Sequence, residues 1–176
     1  MIAVLLTGAA TAVFAGVPGV RVETYPVTGS DIAAIRASLD ANGPLDRNDG
    51  VRVAAITEWR FSWRWPGTVE GSSCQLAAAT VRFSATVTLP RLVGLETLPP
   101  DVQASWRRYR AALEAHEANH VRYAHDHRSD VLAAIRGATC TSADGAAKAV
   151  LRALIEHDLA YDRETGHGAS EGVTLR

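Results

Sequence analysis

The chain has 176 residues, enough for one compact domain and little more, with 47% apolar and 21% charged residues. Its formal net charge is -1, and no long run of one sign interrupts it. That excludes the broad basic face a nucleic-acid partner would need.

Residues 1–15 read MIAVLLTGAATAVFA and carry no charge. The stretch is too short and too rich in small residues to span a bilayer. It reads as the apolar part of a signal peptide, with Val13-Phe14-Ala15 as the small-x-small cleavage site, although the usual basic flank is missing. Residues 16–176 are then one domain, expected to be secreted or periplasmic and without a stable membrane span. The two cysteines, Cys74 and Cys140, fit an oxidising compartment and suggest one disulfide. The chain-entropy model values a loop of that length at about 4 kcal/mol. Their spacing is not that of a zinc knuckle.

Residues 21–28 form a plausible first strand. Ser30 and Asp31 then cap a short helix with Ile32, Ile35 and Leu39 on one face, and Gly43-Pro44 stops it. Residues 46–50 have turn chemistry. Two strand-like runs follow. In residues 51–65, Trp59, Phe61, Trp63 and Trp65 alternate with polar residues. In residues 74–90, Val81, Phe83, Ala85, Val87 and Leu89 alternate in the same way. An antiparallel pair is the simplest arrangement. Pro99, Pro100 and Asp101 open a long helix to about Arg136, a turn holds Gly137, Cys140 and Ser142, and a second helix runs from about Asp144 to Tyr161. The expected fold class is α+β, a small antiparallel sheet packed on a long helical hairpin.

Residues 116–120 read His-Glu-Ala-Asn-His, an H-E-x-x-H pattern. Histidines at i and i+4 leave a helix on the same side, so both rings can reach one ion. Glu117 stands beside them as the base for a water molecule. The pair also falls on the apolar stripe Trp106, Tyr109, Leu113, Ala124, Val131 and Ile135. Buried imidazoles without partners are costly, and a zinc ion would satisfy both. The competing reading is a hydrogen-bonded pair of core histidines.

A zinc site needs a third protein ligand. His125 points about 140° away round the helix, and His127 lies two turns on, roughly 10 Å distant. An antiparallel hairpin centred near Thr139-Cys140 pairs residues whose numbers sum to about 280, which sets His116–His120 against the end of the second helix. The candidates are His167 first, then His157, then Asp162. Asp162 could instead hold a ligating imidazole in its tautomer. Tyr161 is a candidate for stabilising an oxyanion, against the simpler reading of a packed helix-end tyrosine.

Taken together, these pieces resemble the bacterial family of secreted zinc-dependent proteases inferred from sequence and labelled domain of unknown function 922. The resemblance rests on Tyr25-Pro26-Val27-Thr28-Gly29, Thr57-Glu58-Trp59 with Trp63, Cys74, Thr88-Leu89-Pro90, the His116–His120 motif, and Tyr161-Asp162-x-x-Thr165-x-His167-Gly168. It implies secretion, zinc, and hydrolysis of a peptide or protein substrate, with His116, Glu117, His120 and His167 at the site. The expected function is a zinc metallopeptidase with Glu117 as general base. The alternatives are a non-catalytic metal-binding or interaction module of the envelope, with the strand from Trp59 to Trp65 as its surface, and a zinc amidase of the cell wall.

Overall fold

A computed structural model describes residues 12–48, 50–67 and 74–176. The ordered elements are β1 (Val20–Val27), α1 (Ile32–Asn42), β2 (Ile56–Arg64), β3 (Thr80–Leu92), α2 (Pro100–Asp126), α3 (Arg128–Arg136) and α4 (Ala143–Thr165), with four short 3-10 turns between and around them.

Alternation makes β3 the centre of the sheet. Phe83, Ala85, Val87 and Leu89 are buried on one face, while Arg82 and Ser84 on the other are exposed. The strand order is β1-β3-β2. β2 runs antiparallel to β3, with Thr57 opposite Val87 and Phe61 opposite Phe83, as the alternating pattern implies. β1 runs parallel to β3, with Val22 opposite Val87. The sheet is therefore mixed, which corrects the expectation of an antiparallel one. Parallel neighbours need a crossover connection, and here it contains α1. Pro90 is tolerated in the central strand because β2 pairs only with residues 80–88, leaving Pro90 a partner on one side alone.

Asp31 caps α1 by accepting a hydrogen bond from the Ala34 amide at 2.9 Å, and the helix buries Ile35 and Leu39. The strands are displaced from their expected bounds. β2 begins at Ile56 because residues 51–55 break away, with Arg52 bridged to Leu45. β3 begins at Thr80 and reaches Leu92.

The long helix is interrupted at His127, another correction. The His127 ring donates from Nδ1 to the Tyr123 carbonyl at 2.7 Å, and its own amide bonds to the same oxygen. This closes α2, and α3 starts one residue later in a new direction. The apolar stripe survives the break: Trp106, Tyr109, Leu113, Ala124, Val131 and Ile135 are all buried. α4 runs four residues past its expected end, to Thr165, and stops at Gly166 with φ 58°.

Two apolar clusters result. The larger packs α1 and α2 on the sheet. The smaller joins Leu76, Val131, Ile135 and Ala147 beside the Cys74–Cys140 disulfide, which closes 66 residues of chain with a Cα–Cα distance of 5.7 Å. That bond matches the pairing expected from the cysteine count. Among the described residues no helix is long and apolar enough to cross a membrane. Of the expected leader, residues 1–11 lie outside the described ones. Val13 and Phe14 sit on a 3-10 turn, with Phe14 buried in the larger cluster.

Candidate metal centre

The middle of α2 carries His116, Glu117 and His120, all buried. Helical spacing stacks the two imidazoles one turn apart, 5.0 Å between centroids and nearly perpendicular. α4 runs antiparallel across them. His116 meets Asp162, Asn119 meets Tyr161 and His120 meets Asp158, so the pairing by sums near 280 holds.

The two rings share one arrangement. His116 Nε2 and His120 Nε2 each lie 3.1 Å from the same atom, Asp162 Oδ1. Their other nitrogens are each bound to a carboxylate behind them, His116 Nδ1 to Glu171 at 2.8 Å and His120 Nδ1 to Asp158 at 3.1 Å. A carboxylate on Nδ1 fixes the tautomer and turns both Nε2 atoms to one point. The ligand atoms of His116, His120 and Asp162 lie within 4.8 Å of one another.

Glu117 points to the sheet. Thr57 on β2 donates its hydroxyl to Glu117 Oε2 at 2.7 Å. Two residues along, on the same strand face, the Trp59 indole donates to Asp158 Oδ2 at 2.5 Å. Strand alternation thus aims two supporting groups at the site from one edge strand.

The charges explain the titration behaviour. Burial pushes the Glu117 carboxyl up. For His120 burial opposes the charged ring, but hydrogen bonds to Asp158 and Asp162 outweigh it and push the imidazole up to about 10. His116 rises for the same balance, against burial and through Asp162 and Glu171. Asp162 is held far below the usual carboxylate range, because its bonds to both rings overcome its burial. Three carboxylates, Asp158, Asp162 and Glu171, therefore converge on two imidazoles and favour their charged forms.

The turn after α4 grips His116. Gly166, His167 and Gly168 all have positive φ, and Thr165 Oγ1 accepts the Gly168 amide at 3.1 Å. A Cβ on Gly168 would lie 3.0 Å from His116 Cγ and 2.6 Å from Val173 Cγ2, so only glycine allows this approach.

The remaining sequence candidates fall as follows. His167 is half-exposed, its Nδ1 3.8 Å from Asp162 Oδ1, beside the three-residue group and not within it. His157 is exposed and stacks on Tyr123 of α2 at 3.4 Å, outside the three-residue group. Tyr161 stacks on His116 at 5.0 Å, and its hydroxyl donates to Glu171 at 2.8 Å and accepts from Asn119 at 2.7 Å. It braces the ring through Glu171. Asp158 and Glu171 were not singled out from sequence. Asp158 carried a usable signal, since it lies four residues before Asp162 on the helix facing the motif. Glu171, in a glycine-rich tail, carried none.

The three-residue group borders a cleft of about 590 Å³, walled by residues 51–60, α2 and α4.

Fold and site together define an α+β domain with a buried histidine–carboxylate centre between a helical pair and an edge strand. The chain belongs to the family described as bacterial protein of unknown function (DUF922), whose model matches residues 22–168. Searches of the curated proteins and of the solved structures matched nothing.

Proposed function

We propose that the protein is an exported zinc-dependent hydrolase of peptide bonds. The observation that carries this reading is the convergence of two Nε2 atoms on Asp162 Oδ1, with each Nδ1 anchored on its own carboxylate. The donor set fits zinc: two imidazoles and a carboxylate are a catalytic ligand set that keeps one position open. His116, His120 and Asp162 would hold the ion, with Asp158 and Glu171 orienting the rings. Bound there, zinc supplies Lewis acidity that polarises a carbonyl and acidifies water.

Glu117 then acts as proton carrier. Its buried carboxyl takes a proton from water and returns it to the leaving amine. Thr57 holds one of its oxygens, so the other is aimed.

A peptide is favoured over other amides by β2. Among the described residues its second side has no strand partner. Five consecutive residues, Ile56 to Arg60, line the cleft. Alternate strand residues point to opposite faces, so all five border one cleft only if it runs along the backbone edge, where an extended chain can add as a strand. Export is supported by the disulfide. A closed, purely structural site is disfavoured, because the described residues supply three grouped donors beside open space.

The test is zinc content of the purified chain, then peptide hydrolysis. One zinc per chain, lost in His116→Ala, with turnover lost in Glu117→Gln, supports the reading. A chain that takes up no zinc after loading overturns it.

A further inference from the structure

α4 presents one stripe to the cleft. Ile155, Asp158, Leu159 and Asp162 all line it, at the i, i+3, i+4, i+7 spacing of a single helix face. The two acids serve the imidazoles. The two apolar residues serve nothing in the core. The buried residues of α4 are Ala143, Ala147 and Leu154, so its core contact ends just before this stripe becomes continuous.

Exposed large apolar side chains are few among the described residues. Those above two-fifths exposure among the described residues are Leu45, Val51, Val93 and Ile155, and two of them, Val51 at 57% and Ile155 at 45%, line this one cleft. Water-exposed apolar groups gathered beside a polar centre mark a place where a ligand covers them. Trp59, bonded to Asp158, lines the same cleft.

We infer that Ile155 and Leu159 form a specificity subsite for a bulky apolar side chain of the substrate, on the residue adjoining the scissile bond. This rests on the peptidase reading and adds a substrate class to it: extended peptides with a leucine-like residue at the cleavage point. The bulk follows from the reach of the stripe. Leu159 lies within one helical turn of Asp162 and Ile155 one turn beyond Leu159, about 10 Å from Asp162 along α4, so only a long side chain anchored near the centre meets both.

The experiment uses the zinc-loaded full chain and three hydroxamates, compounds that grip a bound zinc: acetohydroxamic acid, and two capped dipeptide hydroxamates differing only in leucine or serine beside the hydroxamate. The leucine probe is expected to bind roughly tenfold tighter or more than the serine probe. Ile155→Asp should cut that preference to about threefold or less, with zinc stoichiometry reporting an intact centre. Ile155→Ala, which only trims the side chain, should move the same way by a smaller amount, and it decides the matter if the aspartate variant does not fold. Equal binding of both dipeptide probes, with acetohydroxamic acid still captured only by the zinc-loaded chain, overturns the subsite and leaves the metal reading standing. Failure of all three to bind overturns both. A leucine preference unchanged in the Ile155 variants also overturns the subsite.

Discussion

The Trp59 indole on an edge strand holds the Asp158 carboxylate on α4 at 2.5 Å, and that carboxylate in turn holds His120 Nδ1. An aromatic residue 99 positions away in sequence from its partner thus sets the orientation of an imidazole it does not touch through that bond. Trp59→Phe keeps an aromatic ring, though a smaller one, and removes the donor. Zinc affinity is expected to fall about 10- to 100-fold, the usual consequence of losing a group that orients a ligand. Competition against a chromophoric chelator measures it. An unchanged affinity would show that Asp158 needs no help from the sheet.

The third ligand is decided by a pair of variants. Asp162→Ala removes the one oxygen both Nε2 atoms face, and should weaken zinc binding by about 100-fold or more. His167→Ala should change it by no more than about threefold, since that ring stands outside the group. The reverse order of effects would transfer the ligand to His167.

Glu117→Gln preserves shape and hydrogen-bonding capacity toward Thr57 but cannot carry a proton. Turnover of a susceptible peptide should drop about 100-fold or more at unchanged zinc content. Thr57→Val should act through the same group, leaving a buried carboxyl without its donor and lowering stability by about 1–3 kcal/mol in a urea titration.

Metal removal should be visible in stability alone. A ligand that binds only the folded chain adds about 2.7 kcal/mol at one hundred times its Kd. Urea midpoints with chelator and with excess zinc should differ accordingly, and the difference should vanish in His116→Ala.

Reducing the Cys74–Cys140 bond, or replacing both cysteines by serine, should lower stability by about 2–4 kcal/mol. The effect belongs to the smaller cluster of Val131, Ile135 and Ala147, so zinc affinity should hold while the melting temperature falls.

What could be read without coordinates was whatever repeats with a period. The i, i+4 histidines, the alternating strands β2 and β3 and the facing of two helices across a turn all follow from helix and strand geometry. The parallel pairing of β1 did not, because register between distant strands leaves no mark in either one. The break at His127 was hidden because a ring-to-carbonyl bond, and no glycine or proline, makes it. His167 ranks ahead of Asp162 in the sequence because its glycine-flanked turn can fold back toward the motif. In the fold Asp162 belongs to the three-residue group, while His167 stands half-exposed on its turn, 3.8 Å from Asp162 Oδ1. Glu171 could not be found at all, since a carboxylate on a glycine-rich turn acquires meaning only when that turn folds back.

That turn has a consequence for the life of the chain. Gly168 and Glu171 reach His116 from about fifty residues further on. While the protein is being synthesised, the helix bearing both histidines leaves the ribosome well before the residues that clamp them. A nascent chain therefore exposes both imidazoles before the groups that orient them exist, and the oriented arrangement comes into being only once the segment bearing Gly168 and Glu171 has been made.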